Sequence, residues 1–179
     1  DTDTLQTLPQ NIFRDGCAEV IKTAILFDEA LFLELVRDGL EFDRESVIAR
    51  CVAHKRDIVN TDEFDRGERQ KLNLGHTIGH GVEASSNFTL SHGKSVAIGM
   101  AIVARASHCP DTEDILKCLN RFGLPTSTTY SAEALYRCAL SDKKRSGGTV
   151  NLIIPRRSVD CAIVPTPVDQ IQSFIEAGL

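Results

Sequence analysis

The residues best suited to chemistry lie in one short stretch, Glu68-Arg69-Gln70-Lys71-Leu72-Asn73-Leu74-Gly75-His76-Thr77-Ile78-Gly79-His80-Gly81-Val82-Glu83. Read as one helix at about 100° per residue, it gathers Arg69, Asn73, His76 and His80 on one side and Leu74, Ile78 and Val82 on the other. A solvated helix face normally carries Lys and Glu, which are good helix formers; Asn and His are mediocre ones. Gly75, Gly79 and Gly81 each cost about 1 kcal/mol relative to alanine in a helix interior. Such penalties imply a compensating reason, such as the close approach of another backbone or of a ligand.

Two histidines at i, i+4 suggest a metal. The residue after His76 is Thr77, so this is not the zincin pattern, whose glutamate is the base. A catalytic zinc needs three protein ligands and an open position. His92 and an acid from elsewhere are the candidates to complete the set, whereas His54 and His108 lack a supporting pattern and read as surface or core histidines. Glu19 and Lys22 stand three apart among Cys17, Ala18, Val20, Ile21, Ala24 and Ile25, so the pair is expected to be partly buried, and buried charges must be paired or bind metal. Asp142-Lys143-Lys144-Arg145, followed by Gly147-Gly148, reads as a basic loop, either a solvated charge run or an anion-binding segment.

The elements that must position these residues are mostly helical. Helices are expected from Arg14 to Phe27, from an Asp28 cap through Val36, from Asp43 through Val59, from Glu68 to Ala84, from a Ser91 cap through Ala104, from Asp111 to Phe122, and from a Ser131 cap to Leu140. The stretch from Ser95 to Ala104 is almost without charge, which in a soluble protein marks a central, buried helix. Gly123 and Pro125 form the stop after Phe122. Thr149–Pro155 and Val159–Val164 read as a hairpin turning at Arg156-Arg157-Ser158, and Thr166-Pro167 starts a last helix. The fold class is therefore mainly α with one small β-hairpin.

Composition narrows the function further. The chain has 179 residues and a formal charge of −5, which gives no pull toward nucleic acid or an anionic membrane. No apolar run is long enough to span a bilayer. The six cysteines (17, 51, 109, 118, 138 and 161) form no C-x-x-C pair and read as reduced thiols of a cytoplasmic protein. The acidic start Asp1-Thr2-Asp3-Thr4 is no secretory signal, and without an initiator methionine the chain reads as a piece of a longer protein. Neither G-x-G-x-x-G nor a P-loop occurs, so no dinucleotide fold is expected here.

Four blocks together resemble the dehydroquinate synthase family: Phe13-Arg14-x-Gly16-x-Ala18-Glu19-Val20-Ile21-Lys22, Leu72 to Glu83, His92-Gly93-x-x-Val96-Ala97-Ile98-Gly99-Met100, and Asp142-Lys143-Lys144. The resemblance runs through essentially the whole chain. It implies the helical C-terminal domain of that fold, with residues 1–12 an interdomain linker, residues 13–179 the metal- and substrate-binding domain, and an N-terminal NAD-binding domain as its missing partner. It further implies Glu19, His76 and His92 as ligands of Zn²⁺ or Co²⁺. Lys22, Lys55, Arg69, Asn73 and Lys143 would contact a sugar phosphate, and His80, Lys22 and Asp65 would serve catalysis. Thr4, Leu5, Gln6, Thr7 and Asp15 would touch NAD.

The implied reaction converts 3-deoxy-D-arabino-heptulosonate 7-phosphate to 3-dehydroquinate, a lyase step of the shikimate pathway toward aromatic amino acids. An alcohol is oxidised transiently by NAD, phosphate is eliminated, hydride returns, and an aldol step closes the ring. A homodimer is expected of the full-length enzyme. The chain departs from the family's usual pattern at Lys94, where a glutamate is common, and at Asp65, also usually glutamate. Alternatives are an inosose or valiolone synthase using the same cofactors, a metal-dependent polyol dehydrogenase, and a non-catalytic helical interaction domain.

Overall fold

The computed structural model describes the backbone of residues 2–144 and 148–179 and the side chains of 2–140 and 148–179. A short 3₁₀ turn, Thr2–Thr7, precedes α1 (Gln10–Phe27), α2 (Glu29–Asp38) and α3 (Arg44–Thr61). A 3₁₀ turn at Gly39–Glu41 lies between α2 and α3, and a third 3₁₀ segment, Glu68–Asn73, leads into α4 (His76–Ser85), followed by α5 (His92–Ala106), α6 (Thr112–Arg121) and α7 (Ala132–Lys144). An antiparallel hairpin, β1 (Thr149–Arg157) and β2 (Asp160–Pro167), and then α8 (Val168–Gly178) complete the chain.

The apolar run dictates the centre. Every residue of α5 from Ser95 to Ala104 is buried, and α1, α4, α6 and α8 pack around it. Each fully buried Val, Ile or Met contributes roughly 1.5–3 kcal/mol, and α5 supplies five of them, Val96, Ile98, Met100, Ile102 and Val103. α1 supplies Cys17, Ala18, Ile21, Ala24 and Ile25 from its inner face, and α4 supplies Ile78 and Val82. Of the expected caps, Asp28 accepts from Leu31 N at 3.0 Å and Asp43 from Ser46 N at 3.2 Å, whereas Ser91 makes no side-chain bond to the start of α5 because its hydroxyl is turned to Asp15. Ser131 accepts from Ala134 N, at 3.2 Å.

Three expectations are corrected. The stretch from Glu68 to Ala84 is not one helix: it is a 3₁₀ segment and an α-helix separated at Leu74-Gly75, where Gly75 takes φ +75°. A left-handed residue ends a helical run, and a side chain there is excluded twice over, because a Cβ on Gly75 would meet Val96 O and Met100 N at 2.8 Å. The segment Asp142-Lys143-Lys144 is not loop, because α7 continues through Lys144. Residues 145–147 and the Lys143 side chain lie outside the described residues. The hairpin is longer than expected on both strands and turns at Ser158-Val159, so Thr166 and Pro167 end β2 and the last helix begins at Val168. The turn is fixed to the helices by Val159 N donating to Ile25 O at 2.8 Å and by Ser158 N donating to Asp111 Oδ2 at 2.6 Å.

Candidate metal and substrate site

Three elements bring one ligand-type atom each to a common point. Glu19 stands mid-way along α1, His76 opens α4 directly after the Gly75 break, and His92 opens α5. Glu19 Oε1 lies 3.4 Å from His76 Nε2 and 3.7 Å from His92 Nε2, and the three ligand atoms all fall within 4.8 Å of one another. Ligands about 2.0–2.1 Å from a tetrahedral zinc are themselves about 3.3–3.4 Å apart, so the arrangement suits a small divalent ion.

The donor chemistry fits as well as the spacing. His76 Nδ1 donates to Leu74 O at 3.1 Å, which leaves the Nε2 lone pair directed at Glu19. Burial and the neighbouring Lys22 ammonium push the His76 imidazole down to about 4, so it is neutral at pH 7. Burial alone would raise the Glu19 carboxyl, but Lys22 attracts and bonds it and holds it below the usual carboxylate range. Although 45% of the Glu19 side-chain surface reaches solvent, Oε1 itself is buried and has no hydrogen-bond partner. A buried carboxylate oxygen facing an imidazole lone pair is repelled unless a cation lies between them. The three residues could hold a metal, and they leave room for an exogenous ligand.

Two clefts open beside this point and share Asn73 and His76. One, of about 420 Å³, is lined by Glu19, Lys22, Lys55, Asn73 and His76 against an apolar wall that includes Phe27 and Leu72. Lys22 is almost wholly buried, as expected for that pair, and its ammonium meets Glu19 Oε2 at 2.6 Å. The other, of about 390 Å³, is lined by Asp65, Gln70, Asn73, Thr77, His80 and the edge of β1 at Thr149 and Asn151. The three imidazoles form a cluster, with ring centroids 5.2 Å apart for His76 and His92 and 5.9 Å apart for His76 and His80. A larger open groove of about 840 Å³ between α5 and α6 is lined by surface charges of both signs and contains no histidine. His76, His80, Glu19, Lys22 and Asn73 gather instead at the two smaller clefts.

Not every expected residue joins them. The Arg69 guanidinium donates to Glu63 O at 2.8 Å, within the loop that Asp62 organises by accepting from the amides of Arg66, Gly67 and Arg69. Thr4, Gln6 and Thr7 are exposed on the first 3₁₀ turn, and Leu5 and Gln6 line a separate hollow with Phe13, Arg14 and Arg44. The Asp15 carboxylate is engaged by the start of α5, accepting from Lys94 N at 3.0 Å, from Gly93 N at 3.2 Å and from the Ser91 hydroxyl. His54 is bonded to Asp28, Nε2 to Oδ2 at 3.0 Å, away from the triad.

Sequence reasoning missed Glu83, whose Oε2 lies 3.8 Å from His92 Nδ1, and Gln70 and Asn151, which join at 2.7 Å to close one wall of the second cleft. Glu83 follows His76 by seven and His80 by three, so the helical wheel contains a signal for it. Asn151 had none, because only the docking of the hairpin brings it there.

The family model for the C-terminal domain of 3-dehydroquinate synthase matches residues 16–145. The 3-dehydroquinate synthase of Pelobacter propionicus is 40% identical over 185 residues, covering 96% of this chain and 52% of that protein. The Enterococcus faecalis enzyme of the same name is 34% identical over 193 residues, covering 100% of this chain and 54% of its own length. The chain thus spans about half the length of the curated relatives it matches. Among solved structures, the 2-epi-5-epi-valiolone synthase of Streptomyces hygroscopicus, with NAD⁺ and Zn²⁺ bound, superposes with a TM-score of 0.80 at 21% identity, covering 98% of this chain and 53% of that one. A 2-deoxy-scyllo-inosose synthase with carbaglucose-6-phosphate, NAD⁺ and Co²⁺ gives 0.78 at 20% identity, covering 100% and 56%. At such identity these two structures establish the fold. The matched family model and the 34–40% identical relatives establish more: the chain belongs to the 3-dehydroquinate synthase C-terminal family.

Proposed function

We propose that the chain is the metal- and substrate-binding half of an enzyme that converts 3-deoxy-D-arabino-heptulosonate 7-phosphate to 3-dehydroquinate. The observation that carries this reading is the Glu19, His76 and His92 triad set against a cleft floored by the buried Lys22. In this reading residues 1–12 are a linker from an NAD-binding domain, with Thr4, Leu5, Gln6 and Thr7 at the cofactor, and residues 13–179 form the helical domain. The full-length enzyme works as a cytoplasmic homodimer.

Glu19, His76 and His92 would hold Zn²⁺ or Co²⁺, which would supply Lewis-acid polarisation of a substrate hydroxyl. The remaining work falls to this chain's own side chains. Lys22 and Lys55 put two ammonium groups into the first cleft, where an anionic group of the substrate is held by charge-assisted bonds. Asn73, shared by both clefts, orients hydroxyls, and His80 and Asp65 handle protons from the second cleft. Arg69 and Lys143 add positive charge for the substrate phosphate. Burial pulls the Lys22 ammonium below its ordinary value, which suits a group that both binds an anion and exchanges a proton.

Phosphate release from the heptulosonate phosphate tests the proposal, with NAD, with this chain, and with and without the NAD-binding half. Release only with both halves is the expected result. If the reconstituted enzyme ignores this substrate and releases phosphate from a hexose 6-phosphate, it is a cyclase of the inosose type.

A further inference from the structure

His92 is the most loosely held member of the triad. Its side chain is 47% exposed, and the 3.8 Å gap from Nδ1 to Glu83 Oε2 exceeds hydrogen-bond length. What places its Nε2 opposite Glu19 is therefore the position of the first turn of α5, of which His92 is the first residue. That turn has no cap of its own. Ser91, in the cap position, makes no side-chain bond to the helix, and its hydroxyl donates to Asp15 instead.

Asp15 belongs to α1, one turn before Glu19 on the same helix. Its Oδ1 accepts from Lys94 N at 3.0 Å and from Ser91, and its Oδ2 accepts from Gly93 N at 3.2 Å. Two amides that every helix start leaves without an intrahelical partner are thus satisfied by a carboxylate from another helix. The backbones meet as well, since a Cβ on Gly93 would lie 2.0 Å from Asp15 O. Asp15 and Glu19 are held apart by one rigid turn, and His92 is held to Asp15 through the amides beside it.

We propose that Asp15 is a positioning residue that fixes His92 against Glu19 and so sets the separation of two metal ligands from one helix. The proposal rests on the reading of the triad as a metal site. Three of the roughly four acceptor positions of the carboxylate are used within the chain.

The test is Co²⁺ titration of the chain, read by competition with a chelator and by visible d–d absorption, with circular dichroism to verify folding. Asp15→Ala should weaken Co²⁺ binding about ten-fold or more, in line with the loss of an outer partner of a metal ligand, and should shift the d–d bands. Asp15→Asn, which keeps an acceptor oxygen for the amides, should recover most of the affinity and the wild-type spectrum. A folded Asp15→Ala chain with wild-type affinity and spectrum would overturn the proposal. If Asp15→Ala fails to fold, Ser91→Ala decides the matter. An intermediate loss of affinity with a shifted spectrum supports the clamp, and wild-type behaviour overturns it. Equal Co²⁺ binding by wild type and Glu19→Ala would sink the metal reading itself, and the clamp with it.

Discussion

The Lys22 ammonium, buried beneath the first cleft, lies 2.6 Å from Glu19 Oε2, while the other Glu19 oxygen faces His76. One carboxylate thus binds a fixed cation with one oxygen and leaves the other free for a metal, whose charge would oppose the ammonium across it. Lys22→Met keeps the volume and removes the competitor. The expected outcome is Zn²⁺ affinity equal to or tighter than wild type, together with weaker substrate binding in the reconstituted enzyme. Competition titration against a chelator measures the first part. Loss of zinc would mean that Lys22 is needed to hold Glu19 in place.

Opposite effects are expected from the same substitution at two helical glycines. A Cβ at Gly99 would stand 2.0 Å from Gly75 O and 2.9 Å from Gly79 N, both backbone atoms that cannot turn away. Gly99→Ala should destabilise the chain by about 1–3 kcal/mol, more than the roughly 1 kcal/mol that alanine gains in helix propensity. It should also weaken metal binding, because Gly75 directly precedes His76. At Gly16 nothing lies within 4 Å of the added carbon, so Gly16→Ala should stabilise by up to about 1 kcal/mol. Urea unfolding of both variants checks the signs; equal shifts would contradict the packing described here.

What the sequence makes legible follows the range of the forces involved. The chargeless run of α5 announces a central helix because solvation leaves no other place for it. Asp28 and Asp43 announce caps because the amide each one reaches is three residues away. The close approaches at Gly75, Gly79 and Gly81 were signalled by their propensity penalties, and each packs against backbone of α5 or α7. The left-handed Gly75 was not legible, because the apolar spacing of Leu74, Ile78 and Val82 runs on through the break. Asp15 and Ser91 meet across 76 positions, and no local pattern encodes that. The triad was legible only through the resemblance, because spacing alone offered His76, His92 and an unnamed acid.

Asp28 gives the fold a defined response to acid. Burial works to raise its carboxyl, but bonds from Arg50, His54 and Leu31 N prevail and bring it down to about 2 from an ordinary 3.8. A carboxyl depressed in the folded state contributes stability that is fully present above its unfolded value near pH 4 and is lost as pH falls toward 2. The amount is at most about 2 kcal/mol, and smaller to the extent that solvent screens the charges. The stability difference between wild type and Asp28→Asn should therefore be largest above pH 5 and shrink between pH 4 and pH 2. Urea titrations across that range measure it, and a gap independent of pH would show that the bonds to Arg50 and His54 contribute nothing through charge.

In the proposed site Glu19, His76 and His92 hold one divalent ion, and His80, 5.9 Å from His76 between ring centroids, stands outside the ligand set. Zinc content after exhaustive dialysis separates these roles, measured on wild type, His76→Ala and His80→Ala. About one zinc per chain is expected in wild type and in His80→Ala, and little or none in His76→Ala. Equal zinc in wild type and His76→Ala, or loss of zinc in His80→Ala alone, would contradict this assignment.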